Sequence, residues 1–224
     1  MIPWTKVDSA RAPGGAELSL WRRGDEICVR AGGVDLMSSK LHDSEAALAE
    51  IGAAGLGARA SVLVGGLGLG FTLRAALDLL PAGARVVVSE LFPAVVGWVR
   101  DHLEGGAMLD DPRVTIDARD CAAILRESEA RFDAILLDVD NGPSALTTPE
   151  NDWLYAPDGL AAAAHALRPG GRLAVWSAGD DPSFAARLGR AGFTAHTHHV
   201  RAHRAGGRGR GARHVIFVGE RIRA

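Results

Sequence analysis

Four acidic residues and one glycine cluster carry the chemistry that this sequence can offer. Residues 60–70 read Ala-Ser-Val-Leu-Val-Gly-Gly-Leu-Gly-Leu-Gly. A short apolar run, Val62 to Val64, ends in glycines at 65, 66, 68 and 70, and a helical pattern opens at once with Phe71, Leu73, Ala76 and Leu77. This is the pattern of a buried strand feeding a tight turn and a helix. Such a turn lets backbone N–H groups approach a ligand closely, and the helix start favours an electron-rich group. Gly66, Gly68 and Gly70 are the expected contacts. Glu90 closes the next apolar run, Arg85-Val-Val-Val-Ser-Glu90, 22 residues after Gly68. A nucleotide-binding fold sets there the carboxylate that accepts from two vicinal ribose hydroxyls. A glycine turn alone could serve packing; with the acid in register, it points to a nucleoside-containing ligand.

The other three acids are Asp120, Asp138 and Asp140. Asp120 follows the third strand of the pattern and can cap the helix beyond it. Asp138 ends the fourth strand, beside the glycine loop, at the carboxyl edge where strand order switches and ligands bind. Asp140 lies in Asp-Asn-Gly-Pro, a sequence that also favours a plain turn.

The elements that must position these groups are legible. After residue 43 the chain keeps a strand–helix rhythm, with strands expected near 61–64, 85–89, 113–117, 133–138 and 171–177. Helices are expected near 45–51, capped by Asp43 or Ser44, and near 70–80, 93–104, 119–128, 157–167 and 182–191. Alternation of this kind predicts a parallel sheet covered on both faces. The last two strands, Phe193 to Val200 and His214 to Val218, are joined by a glycine- and arginine-rich segment that no helix would survive. They should be antiparallel neighbours. The fold class is therefore α/β, a Rossmann-like sheet of the class I methyltransferase layout with a C-terminal antiparallel hairpin. A small β-hairpin over 16–37, turning at Gly24-Asp25, precedes it. The expected division is an N-terminal extension, 1–42, and a nucleotide-binding domain, 43–224.

Composition narrows the function classes. The 224 residues have a net charge of −2 and 47% hydrophobic content, as in ordinary globular chains. No apolar run approaches a membrane span, and no signal-peptide layout opens the chain, so a cytoplasmic protein is expected. Cys28 and Cys121 have no metal-ligand spacing and should be reduced thiols. His196, His198, His199 and His203 could suggest a metal, but strand alternation leaves only a pair on one side, without an acidic partner. No metal site is expected. Segment 201–213 lacks the aromatics that stack bases, so a solvated loop is preferred to nucleic-acid binding. The five tryptophans are read as packing, with Trp153 able to rim a pocket.

Five segments resemble the spermidine synthase family, and more closely its short bacterial spermidine synthase-like members, over residues 16–220. They are Val62 to Arg74, similar to the family's glycine motif with its Leu-Arg ending; Ser89 to Val96, similar to the ribose-carboxylate motif; Asp111-Pro-Arg-Val114 with Arg119-Asp120-Cys121; Ile135 to Pro143, similar to the catalytic Asp-x-x-Asp-Pro segment; and the helix of Ser44 to Glu50. The resemblance implies that Glu90 and the neighbouring Leu91 hold the ribose. It implies that Asp120 accepts from the adenine amine while the Cys121 N–H donates to the ring. Asp138 matches the first catalytic aspartate and Asp140 approximately the second. Such a carboxylate can bind an incoming ammonium and take its proton.

Departures from the family pattern matter equally. Leu69 stands where the family has an aspartate, implied to hold the donor's amine. Leu48-Ala49 replaces Tyr-His or Tyr-Gln, and Tyr155 is the only tyrosine. A diamine pocket with two tyrosine hydroxyls cannot be built in the family's way. The expected ligand is S-adenosylmethionine or its decarboxylated form, with a small amine as acceptor. Leu69 tilts the reading towards the intact form, whose carboxylate would find the glycine-turn N–H groups, and towards methyl transfer. Aminopropyl transfer from the decarboxylated donor is the alternative; a nucleic-acid methyltransferase and a non-catalytic cofactor-binding subunit are the others. A homodimer through the N-terminal region is implied by the resemblance.

Overall fold

The strand–helix rhythm closes into one seven-stranded sheet. A computed structural model describes residues 2–11, 17–103, 105–139, 142–143, 152–202 and 211–222. Five strands, β5 (Ser61–Gly65), β6 (Arg85–Ser89), β7 (Val114–Asp117), β8 (Phe132–Leu137) and β9 (Leu167–Ser177), run parallel. β10 (Phe193–Arg201) and β11 (Arg213–Arg221) form the expected antiparallel hairpin, and β11 adds to β9. The spatial order is β10-β11-β9-β8-β5-β6-β7. The chain builds outward from β5 to β7, then returns to lay β8 on the other side of β5. The crevice at the carboxyl ends of β5 and β8 is the topological switch point.

Helices cover both faces. α1 (Asp43–Gly52), α2 (Phe71–Leu79) and α3 (Pro93–His102) pack against Val62, Val64, Val86, Val88, Ala134, Leu136 and Ala174. α4 (Cys121–Arg126), α5 (Asp152–Tyr155), α6 (Pro157–Ala166) and α7 (Pro182–Arg190) cover Leu63, Ile135, Leu137, Leu173 and Val175. Strands buried on both sides read as unbroken apolar runs. Alternation along β8 puts Ala134 and Leu136 on the α1–α2 face, and Asp138 continues that row.

Three local expectations are corrected. The N-terminal hairpin is a four-stranded antiparallel sheet, β1 (Thr5–Arg11), β2 (Glu17–Arg23), β3 (Glu26–Ala31) and β4 (Val34–Ser38), in sequence order. β4 follows a Gly32–Gly33 turn in which both residues have positive φ, the conformation of a tight hairpin. β1 is polar and almost wholly exposed, so no alternation announces it. Leu18, Leu20, Ile27 and Val29 share one apolar cluster with α1, α2 and α3. Neither Asp43 nor Ser44 caps α1: the N-cap is His42, without a side-chain bond, and the Ser44 hydroxyl pairs instead with His214 Nδ1 at 2.8 Å. Finally, β9 starts at Leu167 because Pro169-Gly170-Gly171 forms an irregularity within the strand rather than a loop ahead of it.

Candidate active site

The glycine turn is shaped by three residues that need positive φ: Gly66 at 87°, Gly68 at 55° and Gly70 at 84°. L side chains disfavour that region. Gly66 also lies against β8, where a Cβ would approach the Asp138 carbonyl to 2.6 Å, and a Cβ on Gly70 would collide with Met108. Gly68 differs: its nearest neighbour is Met37 Sδ at 3.8 Å, so space remains over this part of the turn. Several of the turn's N–H groups already have acceptors. Gly66 N donates to Ser89 O, Gly70 N to Leu67 O, and Leu67 N to the Glu90 carboxylate.

Glu90 is only 6% exposed. Its two oxygens accept from Leu67 N at 3.0 Å and Phe92 N at 2.8 Å. Burial raises its pKa despite these bonds. A carboxylate has about four lone-pair sites, so acceptor capacity remains beyond the two bonds made here. Leu91 follows it and is 44% exposed. Ser89 Oγ donates to Arg119 O at 2.7 Å and ties the end of β6 to the turn before α4. Asp120 caps α4, accepting from Ala122 N at 2.9 Å through one oxygen, which leaves the other exposed carboxylate oxygen for a ligand. The Cys121 thiol is buried and pushed up to about 12, so it is an inert packing group; any contact with a ligand falls to its backbone.

The third group lies across the crevice. Asp138 Oδ2 accepts from Thr72 Oγ1 at 2.6 Å, in the first turn of α2. The same hydroxyl oxygen is 3.2 Å from the backbone carbonyl of Glu45, in the first turn of α1. Burial raises Asp138 to about 6, and Glu45 is raised well above the ordinary range by burial and by the Asp138 charge. Thr72 Oγ1 thus lies between the Asp138 carboxylate and the first turn of α1, and the Asp138 charge opposes ionisation of Glu45. Sequence reasoning had Asp138 but missed Thr72 and the placement of Glu45; each is brought in by helix packing, and only their places within recognised motifs could have flagged them.

Leu69 is 3% exposed and belongs to the core, so it adds neither charge nor polarity. The hydroxyl of Tyr155 donates to Val139 O at 2.9 Å, and Arg126 stacks over Trp153 at 3.7 Å. Asp140 and His203 lie outside the described residues, as does most of segment 201–213. His196, His198 and His199 are exposed on β10. Among the described residues no group of three metal-ligating side chains converges. Among the described residues no helix is long and apolar enough to cross a membrane.

The chain is 39% identical over 124 residues to polyamine aminopropyltransferases of Mycobacterium tuberculosis and Mycobacterium bovis. The match covers 53% of this chain and 23% of each relative, so the chain spans about a quarter of their length. Among solved structures, the spermidine synthase of Thermotoga maritima is similar at a TM-score of 0.75 and 18% identity, covering 96% of this chain and 72% of that one. A spermidine synthase bound to the transition-state analogue AdoDATO gives 0.75 and 17% with the same coverage. A probable spermidine synthase of Corynebacterium glutamicum gives 0.65 and 19%, covering 96% and 79%. No family model matches. Over those 124 residues the chain is similar to polyamine aminopropyltransferases, and it has the fold of the spermidine synthases.

Proposed function

We propose that this chain is an aminopropyltransferase-type enzyme, moving the aminopropyl group of decarboxylated S-adenosylmethionine to a small amine. The observation that carries the reading is the Asp138 carboxylate, held by Thr72, beside a glycine turn whose N–H groups at 66, 67 and 70 already have acceptors. The intact donor would bring a carboxylate to this acidic corner and find those three N–H groups occupied. The decarboxylated donor brings only cationic groups. The preference for methyl transfer rested on Leu69, the missing pocket tyrosines and free turn N–H groups; those N–H groups are occupied, and the sequence relatives are aminopropyltransferases.

Glu90 is assigned to the ribose, with Leu91 against the nucleoside. Asp120 and the Cys121 backbone are assigned to the adenine. The glycine turn gives the sulfur end a close, open seat at Gly68. The reaction forms a C–N bond as the amine lone pair attacks the propyl carbon. The C–S bond breaks with its electrons going to sulfur, leaving a neutral thioether. The nitrogen must shed one proton. An ordinary aspartate is a poor base for it, whereas a carboxylate raised to about 6 is nearer the working range. Asp138 is therefore the proposed proton acceptor, held in place by the Thr72 hydroxyl.

The test is turnover with each donor and a panel of short amines. Release of methylthioadenosine from the decarboxylated donor is expected. Release of S-adenosylhomocysteine from the intact donor, with no methylthioadenosine from the other, would overturn the reading in favour of methyl transfer.

A further inference from the structure

The Thr72 hydroxyl has two acceptors and one hydrogen. Its Oγ1 is 2.6 Å from Asp138 Oδ2 and 3.2 Å from the backbone carbonyl oxygen of Glu45. A hydroxyl donates once, so the two acceptors compete. A carboxylate wins over a neutral carbonyl, because a charge-assisted bond is roughly twice as strong, and the shorter distance agrees. Thr72 is 1% exposed, so solvent supplies no ready substitute for either acceptor.

Three elements build this arrangement. Thr72 stands in the first turn of α2, directly after the glycine turn, between the core residues Leu69 and Leu73. β8 delivers Asp138, and α1 delivers the carbonyl. Asp138 Oδ1 has no hydrogen bond to a described residue, and Asp138 keeps part of its surface open. The two carboxylate oxygens are thus unlike: Oδ2 is held and Oδ1 is left for an incoming group. Glu45 of α1 is the titratable group that the Asp138 charge reaches. The strand registers put Gly66 of β5 and Trp176 of β9 at its level, and neither ionises. Arg74, the first ionisable residue of α2, lies against Gly105 instead.

We infer that Thr72 is a positioning residue for the proposed transfer: it holds Oδ2 of Asp138, leaves Oδ1 to take the proton of the alkylated nitrogen, and sets how readily Asp138 gives that proton up. In this step the N–H bond breaks, its electrons stay on nitrogen, and an O–H bond forms at Oδ1. Oδ2 is then the carbonyl oxygen of a neutral acid. It loses its advantage over the Glu45 carbonyl, and the Thr72 hydroxyl is free to turn towards α1. The bond therefore favours the ionised base and weakens once the proton arrives. This rests on Asp138 as the base of the aminopropyl reading, and the experiment separates the two.

Two measurements are made on the unsubstituted chain, Thr72→Val, Thr72→Ala and Thr72→Ser. One is kcat/KM against pH with the decarboxylated donor and a short amine. The other needs no turnover: thermal stability against pH without ligand, where the window of falling stability ends at the Asp138 titration. Removing the hydroxyl should move the acid limb and the end of that window upward together by about one pH unit, the difference between a charge-assisted and a neutral hydrogen bond. Alanine deletes the hydroxyl in a smaller side chain, so the test does not depend on how valine fits. Thr72→Ser keeps the hydroxyl and should leave both values near those of the parent. Activity lost equally at every pH with the window unmoved, or a serine variant that shifts as valine does, would overturn the role of Thr72 and leave the aminopropyl reading standing. A window that moves in Thr72→Val and not in Thr72→Ser, with no methylthioadenosine released by the parent, would overturn that reading and leave the hold of Thr72 on Asp138 standing.

Discussion

Replacing Asp138 by asparagine should abolish turnover and stabilise the fold. Burial raises this carboxyl from 3.8 to about 6. At about 1.4 kcal/mol per pKa unit, holding it ionised at pH 7.5 costs roughly 3 kcal/mol. Asparagine removes the charge and keeps an oxygen for the Thr72 hydroxyl. The shift already includes the Thr72 bond, so the stabilisation is about 3 kcal/mol. For a chain of this size that is roughly 6–12 °C in melting temperature. The pH dependence carries the sign. A carboxyl raised in the folded state binds protons more readily there than in the unfolded chain. Native stability therefore falls as pH climbs from about 4 to about 6, and the deficit is constant above that window. The asparagine variant does not titrate at this position, so its advantage should be full at pH 7.5, about half as large at pH 5 and nearly gone at pH 4. Thermal denaturation of both proteins, without ligand, at these three values is the assay. A variant less stable than its parent at pH 7.5, or an advantage that does not change with pH, would refute the reasoning.

Three further outcomes follow from the same groups. Glu90→Gln should weaken methylthioadenosine binding by about 1.5–3 kcal/mol, the worth of a charge-assisted hydrogen bond, as read by calorimetry; glutamine is preferred to alanine because Glu90 also ties Leu67 N and Phe92 N. The acid limb of kcat/KM against pH should fall near 6 rather than near 4, since Asp138 must be ionised in the free enzyme to accept a proton. Light scattering at micromolar concentration should give a homodimer: Val34 and Leu36 are 65% and 40% exposed on the edge strand β4, and a Leu36→Lys substitution should shift the protein towards monomer.

The parts of this protein that could be read from sequence are those set by local spacing. The run Val62 to Val64 had to be a strand because its glycines end it, and Gly66, Gly68 and Gly70 had to be glycines because all three take positive φ. The position of Glu90 just after the second strand was legible from its interval to that turn, and Asp120 was legible as the cap of the helix it opens. The readings that failed depend on contacts remote in sequence. Ser44 looks like a helix cap until His214, 170 residues away, takes its hydroxyl. The turn N–H groups look free until Ser89 O and the Glu90 carboxylate fill them. Glu45 looks like an ordinary acid in the first turn of a helix, where a negative charge is welcome. Only the packing of α1 on α2 brings it under the influence of the Asp138 charge. The turn contacts bear on the choice of donor. Leu69 taken by itself removes an attraction for the amine and a repulsion for the carboxylate, and so favours the intact form. Under the proposed reading, the turn N–H groups that the carboxylate would need are already occupied, and the decarboxylated donor is preferred.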